Sequence, residues 1–239
     1  MFTHFLKLII PGSCLMLLFI PSPAQPFPCG TTVTPEQAAY EAALEDSVTR
    51  VTGLNRTLHL ALYIVKDNKG QTNVDPAALT AAIEQVNAAF DPVGITFAVH
   101  TLTYIDNYHF DEIRMGVNEK SMRAQYAVPG FICLYLVNKL YGTGGQEICG
   151  YTYYPSASED VILLRKACLN GAFLAEQMGH FFNLYHMHET AFGTEYVDRS
   201  NCQTSGDRCC DTPADPGLTG LVTSDCRYNG TGRDAHGSY

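Results

Sequence analysis

The alternation of apolar and polar positions predicts an ordered series of strands and helices. From Arg56 to Val65 the residues alternate, with Leu58, Leu60, Leu62 and Ile64 on one face, which is typical of a strand. Asp75 and Pro76 open a helix whose apolar residues then recur at helical spacing, at Leu79, Ala82, Ile83, Val86 and Phe90. Further strands are predicted at residues 94–104, 131–137, 150–154 and 160–164. A short helix is predicted at 119–126 and a last helix at about 170–182.

A further helix is predicted near the N-terminus. Thr34 is a typical N-cap, Pro35 suits the first helical position and Gln37 completes a capping box. This helix is expected to reach Val51 and to stop at Gly53. We interpret residues 25–55 as a pro-region-like segment and residues 56–239 as one globular domain, a common size for a single unit.

The first residues have the pattern of a signal peptide, assigned to residues 1–24. Lys7 precedes an apolar run, and Ser22-Pro23-Ala24 resembles a cleavage site with small residues. A membrane anchor is less favoured because the run is short and contains Pro11, and a lipid on Cys14 is less favoured still because the run continues past it. The expected location is secreted or periplasmic. No other apolar segment reaches the roughly 18 residues that a transmembrane helix needs.

Eight cysteines remain once the signal peptide is removed. An even number in an exported chain indicates disulfides, although eight cysteines allow about 105 pairings. We expect bridges within residues 202–226, because a long irregular loop gains most from cross-links.

The overall charge argues against two classes of partner. Charged residues make up 16% of the chain and the formal net charge is −9. An acidic chain without a basic cluster does not favour binding to nucleic acid or to an anionic membrane.

The last predicted helix carries the candidate chemistry. Residues 176 and 180 lie four apart and therefore share one helix face, from which both can reach a single metal ion. The spacing of residues 176–186 is that of the zinc-protease motif HExxHxxGxxH. His180 and His186 are retained, while Glu176, Gln177 and Asn183 stand where the motif has His, Glu and Gly.

The three exchanges differ in their chemical consequences. Glu176 can ligate zinc, since two histidines and one glutamate form a known catalytic set, but we expect a weakened site with less Lewis acidity because the carboxylate carries a negative charge. Asn183 can adopt the positive φ that turns the chain back towards His186. Gln177 cannot take a proton from water, and the loss of a positioned general base costs about 10²–10⁴-fold in rate. The sequence therefore predicts little or no hydrolysis. An amphipathic core helix that happens to contain histidine is the alternative interpretation.

The sequence that follows resembles the pappalysin family of metzincin zinc metallopeptidases. The resemblance rests on the loop written NC…GD…CDTPADP, between Asn201 and Pro216, and extends more loosely upstream to about Leu58. It implies an α+β metzincin-like fold with a mixed five-stranded sheet, a long backing helix and an active-site helix. It places the zinc ligands at Glu176, His180 and His186, and the catalytic base position at Gln177.

The resemblance also leads us to expect a methionine turn as the floor beneath the metal. No Met follows Met187 in this chain. The floor is therefore expected to be absent, either because the chain is truncated or because the site has decayed.

Cys29 has two interpretations. In the family, an N-terminal Cys-Gly pair caps the metal and keeps the precursor latent, and Cys29-Gly30-Thr31 is similar. A thiolate is a good zinc ligand, so a cysteine switch is chemically sound. Half of a disulfide is the equal alternative.

A second cation is also considered. Asp207, Asp211 and Asp215 lie in an oxygen-rich loop, and the resemblance implies structural calcium near it. Solvated turn carboxylates are the alternative. His188 and Glu189 are ranked below Glu176 as a third zinc ligand, because residues two apart share a metal only in an extended segment.

Three functions remain open. The favoured one is a proteolytically inactive pseudopeptidase that binds a peptide or protein in an extended cleft, beside an edge strand at residues 150–154 with free backbone groups. The second is a zinc-dependent metalloendopeptidase with Glu176, His180 and His186 as ligands. The third is a decaying product without a selected function.

Overall fold

The structure, a computed structural model, describes residues 28–44, 54–155 and 161–215, together with 221, 223 and 229–231. The predicted signal peptide lies outside the described residues, as does the predicted end of the first helix. The start of that helix is confirmed, because the Gln37 amide donates to the Thr34 hydroxyl at 3.2 Å.

Seven strands form two sheets within the described residues. They are β1 (Arg56–Val65), β2 (Ile95–Ile105), β3 (Glu112–Arg114), β4 (Ile132–Val137), β5 (Lys139–Tyr141), β6 (Gly150–Thr152) and β7 (Ile162–Arg165). The main sheet has the order β2-β1-β4-β7-β6, in which only β6 runs antiparallel to its neighbour. The predicted α+β fold with a mixed five-stranded sheet is confirmed. The small β3–β5 sheet was not predicted.

Four α-helices are described: α1 (Pro35–Leu44), α2 (Pro76–Phe90), α3 (Glu119–Tyr126) and α4 (Gly171–Phe181). Side-chain caps fix two of the starts. Asp75 accepts from the Ala77 amide at the start of α2, and Asn170 accepts from the Phe173 amide in the first turn of α4. These caps satisfy amides that the helix itself leaves without partners, so α4 begins at a defined residue and presents a defined face.

The core lies on both faces of the main sheet. Along β1, Leu60, Leu62 and Ile64 pack with the buried faces of α2 and α4, while Ala61 and Tyr63 belong to the core of the opposite face. Each fully buried large apolar side chain contributes roughly 1.5–3 kcal/mol relative to exposure. Helix α4 is therefore held between α2 and the β6–β7 edge of the sheet.

Two disulfides are present in the described residues. Cys202–Cys210 confirms the prediction of a bridge within residues 202–226. Cys149–Cys168 was not predicted, and it joins the residue before β6 to the turn that leads into α4. Disulfides are typical of oxidising compartments, which agrees with an extracytoplasmic location. Among the described residues, no helix has the length and apolar character needed to cross a membrane.

Candidate metal centre

The turn after α4 brings His186 back over the helix. Asn183 has φ of +73°, as predicted, and its amide donates to the His180 carbonyl at 2.9 Å. The Leu184 amide donates to the Gly179 carbonyl, also at 2.9 Å. These two bonds form a Schellman motif, which ends the helix and satisfies carbonyls that would otherwise lack partners.

Four side chains converge at this turn. One ligand atom from each of Cys29, Glu176, His180 and His186 lies within 4.8 Å of all the others. The Nε2 atoms of His180 and His186 are 3.2 Å apart. Glu176 Oε1 lies 3.4 Å from the Nε2 of His186 and 3.7 Å from that of His180. Tetrahedral zinc with ordinary bond lengths separates its ligand atoms by about 3.3–3.7 Å, so these donors fit a zinc ion.

The orientation of the His180 ring is fixed by contacts at its Nδ1, on the side away from the other candidate ligands. Its Nδ1 lies 2.8 Å from the Leu184 carbonyl oxygen, which can only accept, so the ring proton belongs on Nδ1. The Nε2 lone pair is then directed at the candidate ligand atoms of Cys29, Glu176 and His186. The Tyr154 hydroxyl also lies 3.4 Å from Nδ1, and its ring packs edge-on against the imidazole. Such supporting bonds to a ligating histidine strengthen metal binding.

Within the group, the negative charge of Glu176 and the positive charge of His186 stabilise each other. Burial alone would raise the pKa of Glu176, but its interactions with the neighbouring His180 and His186 imidazoles outweigh the effect of burial and hold that pKa at about 2. Burial alone would lower the pKa of His186, but its hydrogen bonds with Cys29 and Glu176 raise it to about 9. A metal ion would replace the proton that His186 carries, so binding is expected to release protons.

Cys29 reaches the group from the N-terminal segment, and its Sγ is a free thiol rather than half of a disulfide. The Sγ atom lies 3.7 Å from His180 Nε2. The backbone on either side is bonded to the start of β6 and to the residue before it, because the Gly30 amide donates to the Gly150 carbonyl at 2.8 Å and the Cys149 amide donates to the Pro28 carbonyl at 2.9 Å. The prediction that the edge strand offers free backbone groups is therefore wrong at this position. Residues 28–30 occupy its outer side.

The residue at the predicted base position is fully buried. The Gln177 amide nitrogen donates to Cys29 Sγ at 3.1 Å, and its oxygen accepts from the Thr31 hydroxyl at 3.4 Å. The Thr31 hydroxyl in turn accepts from the Thr152 amide of β6 at 3.0 Å. Gln177 therefore faces the N-terminal segment with both ends of its amide.

The turn residue makes a second contact with the same segment. The Asn183 side-chain oxygen accepts from the side-chain amide nitrogen of Gln37 at 2.8 Å and from the Tyr185 hydroxyl at 3.1 Å. Gln37 and Tyr185 are themselves bonded, with 3.0 Å between the amide nitrogen and the hydroxyl. Gln37 belongs to α1, so this network joins the first helix to the turn that carries the candidate ligand His186.

His188 and Glu189 lie outside the converging group. The ring of His188 stacks on His186 with centroids 5.0 Å apart, but the side chain is exposed. The Glu189 carboxylate accepts from the amides of Thr190 and Ala191 and so caps its own turn. Their lower rank as zinc ligands agrees with this arrangement.

The three loop aspartates are not brought together as one group. The only cluster of three or more candidate metal ligands in the described part of the chain is the one at Cys29. Asp207 is buried and accepts from the Cys209 amide and the Thr212 hydroxyl. Calcium at Asp207, Asp211 and Asp215 stays a prediction.

Sequence reasoning missed a buried carboxylate beside Asp207. Glu195 is 5% exposed, and neither of its carboxylate oxygens has a hydrogen-bond partner. Burial first, and then the charge of Asp207, raises the pKa of Glu195. Nothing in the local sequence marks Glu195, because its burial near Asp207 depends on the path of the loop.

Comparison with known proteins gives likeness of fold at low identity. No family model matches the chain, and no curated protein matches it. A promirolysin mutant from Tannerella forsythia is similar with a TM-score of 0.49 and 14% identity, over 78% of this chain and 76% of that one. Metalloproteinase-II from Bacteroides fragilis gives 0.36 and 14%, over 69% and 50%. A chaperone-substrate complex gives 0.38 and 15%, over 64% and 31%.

Proposed function

We propose that this chain is a metal-binding member of the pappalysin-type metzincins whose site does not hydrolyse peptides. One observation carries the proposal: four donors converge within 4.8 Å, and the residue at the base position is a buried amide bonded to one of them. A converging donor set supports metal binding, and the amide argues against the chemistry that would follow it.

Zinc is the metal that suits this donor set best. Sulfur, two imidazole nitrogens and one carboxylate oxygen are all ordinary zinc ligands, and four of them fill a tetrahedral site. Cys29, Glu176, His180 and His186 would hold the ion. When bound it would act as a Lewis acid, but a site filled by four protein ligands keeps no position for a water molecule.

Gln177 removes the proton acceptor on which hydrolysis depends. Its nitrogen is a donor, and its oxygen already accepts from Thr31, so no basic atom faces the ligands. The loss of a positioned base costs about 10²–10⁴-fold in rate. A site with this amide is suited to holding a metal and unsuited to deprotonating water.

A peptide or protein partner is proposed for the cleft beside β6. An extended peptide would bind by adding a strand to this edge. Residues 28–30 already make the backbone bonds that such a peptide would use. A partner must therefore displace them, and its affinity is lowered by the free energy of that displacement.

Zinc-dependent peptide hydrolysis is the second candidate, and one observation favours it. The side chains of Glu176 and His186 are 35% and 17% exposed, so this side of the group is open to solvent. If Cys29 withdrew, Glu176, His180 and His186 would remain as the two-histidine, one-glutamate set of known hydrolases.

Metal analysis of the signal-free protein tests the proposal. We expect one zinc per chain in the wild type and none at this site in His180→Ala, with His109→Ala, an exposed histidine, as the matched control. We also expect no chelator-sensitive cleavage of a peptide library. Absence of zinc from folded wild type would overturn the metal centre. Zinc-dependent turnover that His180→Ala abolishes would overturn the inactive assignment and favour the second candidate.

A further inference from the structure

Two of the residues that depart from the zinc-protease motif contact the same piece of chain. Gln177 bonds to Cys29 and Thr31, and Asn183 bonds to Gln37. The residues that an intact motif would have, Glu and Gly, could make neither the contact with Cys29 nor the contact with Gln37. Glutamate has no donor for the sulfur when ionised, and glycine has no side chain to accept from Gln37.

We propose that Gln177 and Asn183 hold residues 28–37 against β6 and the four-ligand group, an arrangement that we call the clamp, and that Gln177 is a positioning residue for the Cys29 sulfur. This inference deepens the proposed function and rests on it where metal ligation is concerned. If so, the presence of Gln177 in place of the catalytic glutamate adds a contact with Cys29 and also removes the general base.

A chain of hydrogen bonds fixes the orientation of the Gln177 amide. The Thr152 amide donates to the Thr31 oxygen, so the remaining Thr31 proton is directed at an acceptor, which is the Gln177 oxygen. The amide nitrogen is then left to face Cys29 Sγ. The relay starts on β6 and ends on the sulfur, so the edge of the sheet determines where the thiol points.

A carboxylate at position 177 would reverse the last step of the relay. Both of its oxygens accept, and one of them would face a sulfur that is itself an acceptor and an anion when bound to metal. Gln177 is 0% exposed, so no water is at hand to relieve the repulsion. The clamp and the general base therefore exclude each other at this position.

The second anchor lies at the other end of the segment. Gln37 is 1% exposed, and its amide reaches the Asn183 oxygen and the Tyr185 hydroxyl. Backbone bonds of Pro28 and Gly30 with Cys149 and Gly150 supply the remaining attachment. Ten residues are thus fixed at both ends and at the sulfur between them, which is more than a single metal–sulfur bond would provide.

Alkylation of Cys29, followed by mass spectrometry of its peptide, tests the clamp without any metal. We expect Cys29 to react about tenfold faster or more in Gln177→Glu and in Gln177→Met than in the wild type, because loss of the bond to Gln177 releases the segment and exposes the sulfur to the reagent. Gln125→Glu, an exposed change of the same chemistry in α3, should react at the wild-type rate. Cys133, buried in the core, is the internal reporter of unfolding and should stay unreactive in all four proteins.

Cobalt substitution gives the second readout. In the wild type we expect a thiolate-to-cobalt charge-transfer absorption, and in Gln177→Glu we expect its loss while cobalt stays bound through the other three ligands. Unchanged alkylation with an unchanged cobalt spectrum would overturn the clamp. Failure of the wild type to bind cobalt or zinc would instead overturn the proposed function, and the alkylation rates in chelator would still decide whether Gln177 holds the segment.

Discussion

Replacement of Asn183 separates its two roles, the left-handed turn and the bond to α1. Asn183→Ala places an ordinary side chain at φ +73°, which costs about 1–2 kcal/mol. It also removes the acceptor for Gln37 and Tyr185, worth about 1–2 kcal/mol together. We therefore expect the free energy of unfolding to fall by about 2–4 kcal/mol.

Asn183→Gly keeps the turn and loses only the acceptor. Its expected cost is about 1–2 kcal/mol, since glycine adopts positive φ without strain but is freer in the unfolded chain. Urea denaturation of the metal-free variants measures both values, and zinc affinity should weaken more in the alanine variant because His186 follows the turn. The same pair of substitutions at Asn73, with φ of +54° in the loop before α2, should show the alanine–glycine difference without any change in zinc affinity.

Two results would contradict this reasoning. Equal stability of the alanine and glycine variants at position 183 would show that the chain does not need a left-handed residue there. Additive effects of Asn183→Gly and Gln37→Met in a double-mutant cycle would show that the two side chains are not energetically coupled, because contacting residues are expected to deviate from additivity.

Three further predictions concern the scaffold. The Cys149→Ala/Cys168→Ala variant should lose about 3 kcal/mol of stability in urea denaturation, from the closure of a loop with a sequence separation of 19, and a loss under about 1 kcal/mol would argue against the bridge. Glu195→Gln should become more stable relative to the wild type as the pH of a calcium-free buffer rises from about 4 to 7. The reason is that a carboxyl group with a raised pKa stabilises the fold below the pKa it has in the unfolded chain, and this stabilisation is lost as the pH rises through its pKa in the folded protein. A difference in stability that does not vary with pH would refute this. Lys166→Met should lower the free energy of unfolding by about 3–5 kcal/mol, because it leaves the buried Asp111 carboxylate without the Lys166 Nζ that lies 2.7 Å from its Oδ1. A loss near zero on chemical denaturation would exclude the ion pair as a stabilising contact.

The sequence predicts the fold well because the main sheet and its helices have long periodic patterns. The ten residues of β1 and the apolar positions of α2 lie where alternation and helical spacing place them. Asn183 was also predicted correctly, since only a few residue types tolerate a left-handed turn. Local chemistry was enough in each of these cases.

The missed features depend on contacts between distant parts of the chain. Gln37 and Thr31 show nothing in their own neighbourhood that points to Asn183 or Gln177. The outer edge of β6 was expected to be free because the strand pattern does not show what lies beside it. Glu195 was overlooked for the same reason, since the burial of a carboxylate is decided by the path of a loop.

The docking of residues 28–37 also has a consequence for biogenesis. Cys29 and Gln177 are 148 positions apart, so this segment is made early and its binding site is made late. Contacts of such long range form slowly, because a large loop must close before they contribute. The contacts between this segment and the end of α4 are therefore expected to form last, after a stage in which β6 and α4 are folded and residues 28–37 have not yet docked on them.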